Sequence, residues 1–100
     1  MLNKKVAIVT GGTRGIGLEI VRTFLNNGAN VALLGSKEES VTNAINKLKE
    51  ENENYQVIGF YPNLASEVEV KETFAKVANE FGHIDILVNN AGMSSSTKIE

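Results

Sequence analysis

The 100-residue chain lacks cysteine and has a single histidine, His83. It can therefore form no disulfide and no thiolate metal site, and one histidine cannot build a zinc site. An excess of basic residues is also missing, since the net charge is −2, which argues against a nucleic-acid or anionic-membrane surface. No apolar run approaches the ~20 residues of a membrane span. We expect a soluble cytoplasmic protein without a bound metal.

Short apolar runs alternate with amphipathic segments. The runs 6–10, 31–34, 55–61 and 84–88 have the length and composition of buried strands. Helical spacing of apolar residues between them predicts three helices. They are marked by Ile16, Ile20 and Phe24 with Val21 and Leu25 beside them, by Val41, Ile45 and Leu48, and by Val70, Phe74, Val77 and Phe81. This order predicts βαβ units in a parallel sheet, as a three-layer Rossmann-type α/β fold with strand order 3-2-1-4.

Two short patterns predict where helices begin. Ser36 with Glu39, and Ser66 with Glu69, have the spacing of a capping box. We therefore expect the second and third helices to start at these serines.

Other residues predict where elements end. Gly28 and Gly82 stand where a glycine commonly terminates a helix, and Pro62 ends the third strand. The polar run 50–54 after the second helix is most simply a solvated loop.

The segment between the first strand and the first helix is rich in glycine and reads T-G-G-T-R-G-I-G over residues 10–17. A helix N-terminus offers unpaired N–H groups and partial positive charge, and glycines let the backbone approach a pyrophosphate. The spacing of Gly11, Gly15 and Gly17 is G-x-x-x-G-x-G, which differs from the common dinucleotide fingerprint G-x-G-x-x-G. A turn that binds nothing is the alternative, but four glycines in seven residues exceed what a turn needs.

A second motif, N-N-A-G, follows the fourth strand at residues 89–92. Ligands of open parallel sheets bind at the carboxyl ends of strands, near the switch point. If the fourth strand pairs with the first, this motif lies beside the glycine turn. Taken alone, it is also typical of a simple turn.

Together the two motifs resemble those of the N-terminal half of the short-chain dehydrogenase/reductase family, and their separation fits as well. The resemblance spans essentially the whole chain and is greatest to β-ketoacyl-(acyl-carrier-protein) reductases. It implies an NAD(P)-dependent oxidoreductase that reduces a carbonyl group by hydride transfer, with residues 1–100 as part of its Rossmann domain. The implied partners are a small-molecule carbonyl or alcohol substrate and further copies in a homo-oligomer.

The resemblance also implies which residues contact the cofactor. These are Gly11, Thr13, Arg14, Gly15, Ile16 and Gly17 in the glycine turn, and Asn63, Leu64, Asn89, Ala91 and Gly92 after the third and fourth strands. Asn63 stands where the family usually has an aspartate that contacts the adenine amino group. An asparagine carbonyl can accept the same hydrogen bond.

The end of the second strand bears on the choice between NAD and NADP. An acid there normally binds the ribose 2′-hydroxyl of NAD and repels a 2′-phosphate, but the chain has Gly35, Ser36 and Lys37. Arg14 and Lys37 can pair with a 2′-phosphate, and Ser36 can donate to it. We expect NADP in preference to NAD. The alternative is that Lys37 is a solvated loop residue and Ser36 only a helix cap.

The reaction centre of the family is missing from the chain. It consists of a tyrosine general acid, a lysine four residues later and a serine. Neither Tyr55 nor Tyr61 is followed by a lysine at that spacing, so we attribute both to core packing. The serines at 94–96 follow N-N-A-G too closely to be the serine of the family, so we interpret them as a solvated loop. We interpret His83 as a surface residue and Asp85 as a charge at the end of the fourth strand, and neither is given a catalytic role.

Three explanations fit a cofactor half-site without a reaction centre. The chain is the N-terminal part of a longer reductase, a small nucleotide-binding module without catalysis, or an interaction protein that binds no nucleotide. We favour the first and expect the chain alone to be inactive. Its fourth strand would then be an apolar sheet edge, through which we expect self-association.

Overall fold

The computed structural model describes residues 3–90, in which strands and helices alternate. The elements are β1 (Val6–Thr10), α1 (Gly15–Asn26), β2 (Asn30–Leu34), α2 (Glu38–Glu51), β3 (Val57–Phe60), α3 (Glu67–Phe81) and β4 (Ile86–Asn89). Within this part of the chain, no helix is long and apolar enough to cross a membrane. The strands pair in parallel in the order β3-β2-β1-β4. The predicted α/β fold and strand order are confirmed.

Each face of the sheet carries its own apolar core. On one face, Val9 and Leu33 of the sheet pack with α1 and α2, as the buried Leu48 illustrates. On the other face, Ile8 packs with α3 through the buried Val77. Neighbouring strand residues point to opposite faces, so Ile8 and Val9 enter different cores. Helices therefore cover both faces of the sheet, which makes the three layers.

β3 is shorter than the predicted run 55–61. The N–H of Tyr55 donates to the carbonyl of Asn52 over 3.1 Å, so this residue closes a turn and does not begin the strand. At the other end, Phe60 pairs with Leu34, the last residue of β2. Tyr61 lies beyond the last paired position, at the carboxyl rim of the sheet.

β4 begins at Ile86, two residues later than predicted. The preceding residue, Asp85, bonds to β1 through its side chain as well as its backbone. The N–H of Asp85 donates to the carbonyl of Val6 over 2.8 Å, and its Oδ2 accepts from the N–H of Val6 over 2.9 Å. His83 Nε2 lies 2.8 Å from the same carboxylate oxygen. Asp85 thus lies immediately before β4, in agreement with its interpretation as a strand-end charge, and it is also a hydrogen-bonding partner of β1.

Of the apolar residues predicted to mark α1, Val21 and Leu25 are buried, whereas Ile16, Ile20 and Phe24 are not. Ile16 is 71% exposed, and the other two are only partly buried. The buried residues are Gly17, Leu18, Val21 and Leu25. Ile16, Ile20 and Phe24 form one line of apolar residues along this helix, and Val21 and Leu25 lie on an adjacent line. Packing against the sheet buries the line of Val21 and Leu25.

α2 begins later than predicted. Its first residue is Glu38 and its N-cap residue is Lys37, with no side chain capping the helix. Ser36 lies one residue before the cap, so the predicted box of Ser36 and Glu39 is wrong. Two glutamates in the first turn complement the helix dipole without a cap.

α2 also ends later than predicted, at Glu51, inside the run expected to be a loop. Arg22 of α1 donates from Nε to Glu51 Oε1 over 2.7 Å and from Nη2 to Oε2 over 2.8 Å, and it also binds Glu19. This hydrogen bonding lowers the pKa of the Glu51 carboxyl and raises the pKa of Arg22. The two-pronged contact joins α1 to the last turn of α2.

α3 begins as predicted. Ser66 Oγ accepts from the N–H of Glu69 over 3.3 Å, which confirms the cap. The Glu69 carboxylate binds the N–H of Asn63 instead of returning to Ser66, so only half of the capping box forms. At the other end Gly82 is the C-cap with a φ of 95°, and Gly28 after α1 has a φ of 92°. Both glycines end helices as predicted.

Candidate functional site

A cavity of about 570 Å³ opens at the carboxyl ends of β1, β2 and β3. Its lining consists of Gly11, Thr13 and Arg14 after β1, Leu34, Gly35 and Ser36 at the end of β2, Tyr61, Pro62, Asn63, Leu64 and Ala65 after β3, and Glu69 of α3. Parallel strands bring their carboxyl ends to one edge of the sheet, where ligands of such sheets bind. Six of the predicted cofactor residues, which belong to three separate loops, line the cavity. They are Gly11, Thr13 and Arg14 after β1, Ser36 after β2, and Asn63 and Leu64 after β3.

The two ends of the glycine turn, Gly11 and Gly17, lie close together. Gly11 has a φ of 65°, a left-handed conformation that favours glycine. A Cβ at Gly17 would lie 1.9 Å from the carbonyl oxygen of Gly11, so a larger residue does not fit. The N–H of Gly12 donates to the carbonyl of Leu34 over 3.2 Å, which ties the turn to β2. These glycines allow a compact loop at the start of α1.

The end of β4 lies against the glycine turn, as the predicted strand order requires. Asn90 donates from Nδ2 to the carbonyl of Gly11 over 3.2 Å. Thr10 donates from Oγ1 to Asn89 Oδ1 over 3.1 Å. Sequence reasoning selected Asn89 and missed Asn90, although the doubled asparagine of N-N-A-G offered the signal. Asn90 contacts Gly11 within the turn, and Asn89 contacts Thr10, the last residue of β1.

Several predicted residues do not line the cavity. Gly15 and Ile16 border a different groove, along the outer side of α1. Lys37 is the N-cap of α2, adjacent in sequence to the cavity. Ala91 and Gly92 lie outside the residues that the structure describes. The cavity therefore draws its lining from fewer residues of the glycine turn than the resemblance implies.

The charged groups of the cavity lie on its two sides. Arg14, after β1, forms no ion pair within residues 3–90, and it precedes α1, whose first turn has neither a side-chain cap nor an acid. Glu69 lies on the side of β3, which β2 separates from β1. Over the described range, no group of three or more acidic or histidine side chains could hold a metal ion. Of the two sides of the cavity, the side of the glycine turn is therefore the one whose charges suit an anion.

Asn63 forms a tight turn after β3. Its Oδ1 accepts from the N–H of Ala65 over 3.0 Å, and its backbone carbonyl accepts from the N–H of Ser66 over 2.9 Å. Since only the oxygen of an amide side chain can accept from an N–H group, the contact with Ala65 fixes the orientation of the amide. Within residues 3–90, Asn63 Nδ2 forms no hydrogen bond. The carbonyl expected to meet the adenine amino group is thus already used once by the turn.

The two tyrosines differ in environment. Tyr55 is buried, with 8% exposure, and its hydroxyl donates to Asn26. Tyr61 is 51% exposed and lines the cavity, so its assignment to core packing was wrong. A correct prediction of the end of β3 would have placed Tyr61 at the rim. Glu69, another lining residue, was recognised only as part of a capping box.

Comparison with known proteins gives a consistent result. A short chain dehydrogenase profile matches residues 5–100. The chain is 52% identical over 97 residues to a 3alpha-hydroxysteroid dehydrogenase of Mediterraneibacter gnavus, with 97% of this chain and 39% of the relative covered. It is 36% identical over 99 residues to human 15-hydroxyprostaglandin dehydrogenase (NAD+), with 99% and 37% covered.

Among solved structures, a variant of the actinorhodin polyketide ketoreductase with NADPH superposes with a TM-score of 0.83 and 35% identity. The match covers 93% of this chain and 36% of that one. The chain thus spans about two-fifths of the length of the relatives it matches.

Proposed function

The chain belongs to the short-chain dehydrogenase family, and from this premise we propose that it is the cofactor-binding N-terminal part of an NAD(P)-dependent oxidoreductase. The reaction interconverts a carbonyl group and an alcohol by hydride transfer. The observation that carries the proposal is the cavity in which the glycine turn meets the loops after β2 and β3. It combines a compact glycine loop and an uncapped helix N-terminus, which suit a pyrophosphate, with exposed apolar side chains, which suit a base.

The residues of this chain bind and orient the cofactor in this proposal. The backbone after Gly11 and the N-terminus of α1 hold the pyrophosphate, and Tyr61 and Leu64 flank the adenine. The nicotinamide supplies the hydride when bound. No tyrosine of the chain is followed by a lysine four residues later. We therefore assign proton transfer to a part of the full-length protein outside these 100 residues.

NADP preference is a finer part of the proposal. No carboxylate follows β2 between Gly35 and Lys37, whereas Arg14 and Ser36 line the same cavity. A guanidinium and a hydroxyl suit the additional charge of a 2′-phosphate. The names of the relatives include both NAD+ and NADPH, so support for NADP comes from these residues alone.

Two substrate classes are candidates. The motif resemblance favours a 3-oxoacyl-(acyl-carrier-protein) thioester, and the identity of 52% to a 3alpha-hydroxysteroid dehydrogenase favours a hydroxysteroid or its ketone. Rates of NADPH oxidation by the full-length protein with an acetoacetyl thioester and with a 3-oxosteroid would separate them. Activity with only one of the two identifies the class.

Titration of the full-length protein with NADPH and NADH tests the cofactor assignment. We expect NADPH to bind about tenfold or more tightly, and Arg14→Ala or Lys37→Ala to weaken only NADPH binding, by about tenfold. Lys71→Ala, which removes a charge from the exposed side of α3, is the matched control and should change neither affinity.

Each outcome of this titration has a distinct meaning. Tighter binding of NADH contradicts the NADP preference. Binding of neither dinucleotide contradicts the oxidoreductase proposal and favours an interaction protein. Binding without turnover of any carbonyl substrate favours a non-catalytic nucleotide-binding module.

A further inference from the structure

The part of the cavity that follows β3 combines apolar walls with a polar turn. Tyr61 is 51% exposed, Leu64 is 46% exposed, and both line the cavity together with Pro62. Exposed aromatic and aliphatic side chains beside hydrogen-bonding groups suit a flat heteroaromatic ring. If the phosphates lie at the glycine turn, the base of the dinucleotide lies here, beside Asn63.

The hydrogen-bonding capacity of Asn63 is divided in a particular way. Its backbone N–H donates to Glu69 Oε1 over 2.8 Å, and its side-chain oxygen accepts from the N–H of Ala65. The side-chain group that the turn leaves unused is the Nδ2 amide, which is a donor. An aspartate in the same turn would use one oxygen for Ala65 and leave the other, which is only an acceptor.

This difference matters because purines differ at position 6. Adenine has an amino group there, which donates, whereas hypoxanthine has a carbonyl, which accepts. The carboxylate oxygen that an aspartate would leave unused is an acceptor. It therefore favours the amino group of adenine and disfavours the carbonyl of hypoxanthine. The donor of Asn63 fits the carbonyl of hypoxanthine and also fits an acceptor ring nitrogen of adenine.

Glu69 supports the turn. It also lines the cavity, and its Oε1 accepts from the backbone N–H of Asn63 over 2.8 Å. The atom that can accept from Asn63 Nδ2 differs between the two purines: it is N1 in adenine and O6 in hypoxanthine. These two atoms are neighbours on the edge of the base, so a single donor can serve either one.

We propose that Asn63 binds the base of the cofactor as a hydrogen-bond donor, so that the site accepts hypoxanthine dinucleotides as well as adenine dinucleotides. The inference rests on the proposed function and concerns the base specificity of that same site. Asn63 is its specificity-determining residue, and Glu69 holds the turn in place.

The experiment compares NADPH and NADH with their deamino counterparts, which contain hypoxanthine, in titrations of the full-length protein. We expect the adenine and hypoxanthine forms to bind within about threefold of each other. Asn63→Asp should shift the ratio by about tenfold or more towards adenine. Asn79→Asp, the same chemical change on the exposed side of α3, should leave the ratio unchanged. Thermal unfolding checks that the variants are folded.

The unsubstituted protein provides a test that requires no variant. A preference for adenine of about tenfold or more, or an unchanged ratio in folded Asn63→Asp, overturns this inference and leaves the proposed function intact. If neither base form binds, the proposed function fails together with the inference. If Asn63→Asp does not fold, the ratio of the unsubstituted protein decides.

Discussion

Asn90 donates from Nδ2 to the carbonyl oxygen of Gly11 over 3.2 Å, and this bond joins the end of β4 to the glycine turn. Pairing of β1 with β4 brings the two residues together, since Thr10 lies opposite Asn89 in the sheet. A Cβ at Gly17 would lie 2.7 Å from the same nitrogen. The turn, the start of α1 and the end of β4 therefore meet at one point, and the shape of the turn depends on all three.

Replacement of Asn90 by aspartate tests this contact. Asn90→Asp exchanges the donor for a carboxylate, which cannot donate to the carbonyl of Gly11. We expect the free energy of unfolding of the full-length protein to fall by about 1 kcal/mol and dinucleotide binding to weaken. Urea unfolding and NADPH titration measure the two effects. Asn79→Asp is the control, and an Asn90→Asp protein as stable as the unsubstituted one would contradict the assigned contact.

Two glycines of the turn should respond differently to alanine. In Gly17→Ala the new Cβ meets the Gly11 carbonyl oxygen at 1.9 Å, and this backbone atom cannot rotate away. We expect a loss of about 3 kcal/mol in unfolding free energy and loss of dinucleotide binding. Gly15 has a φ of 60°, and a Cβ added there would meet no atom within 4 Å, so Gly15→Ala should cost only about 1 kcal/mol of left-handed strain. Urea unfolding of both variants checks the order, and the reverse order would show that the described turn is wrong.

The ion pair of Arg22 and Glu51 predicts a pH dependence of stability. Arg22 lowers the pKa of Glu51 in the folded protein, so the unfolded chain takes up this proton more readily. The pair therefore stabilises the fold above the ordinary glutamate pKa of 4.5, and the contribution is lost as the pH falls through the lowered value. Glu51→Gln should be less stable than the unsubstituted protein at about pH 7 and equally stable at about pH 2.

Urea unfolding at the two pH values measures this difference. Glu50→Gln, which removes a neighbouring exposed glutamate that forms no ion pair within residues 3–90, is the control. If Glu51→Gln is less stable than the unsubstituted protein by the same amount at both pH values, the ion pair is not the cause of the difference.

The free edge of the sheet predicts self-association of the isolated chain. Within residues 3–90, β4 pairs only with β1, and Leu87 is 52% exposed. Unpaired strand edges with apolar side chains recruit further strands. We expect the 100-residue chain to sediment as oligomers, and Leu87→Lys to shift it towards monomer. Val68→Lys, at a 65% exposed position on α3, should have no such effect. A monomer at high concentration before any substitution would contradict the proposed edge contact.

The order of elements and the strand order were predictable because they depend on local patterns. β1 is apolar at each position from Val6 to Val9, as a strand covered on both faces must be. Gly28 and Gly82 ended their helices as expected, since a positive φ is a property of single residues. The same reasoning predicted a site at the carboxyl ends of the strands, where the cavity opens, although its lining includes no residue of N-N-A-G up to Asn90.

Predictions that depended on a choice between similar local patterns were less successful. Ser36 has the spacing of a capping residue, yet the N-cap of α2 is Lys37, one residue later, and the two initial glutamates of the helix already complement its dipole. Ile16 continues the apolar spacing of α1, yet it faces solvent because Leu18 and Val21 occupy the sheet side.

By itself, the sequence determined the alternation of strands and helices, the glycine turn and the family, since periodicity, positive-φ residues and motifs are all local. Only the tertiary structure decided that Asn90 reaches Gly11, that Asp85 bonds to Val6, and that the Asn63 turn leaves its amide nitrogen as the unused donor. The first two contacts join residues 79 positions apart. The third depends on how a turn folds back on itself. Such contacts follow from strand pairing and side-chain orientation, which cannot be predicted from the spacing of residues along the chain.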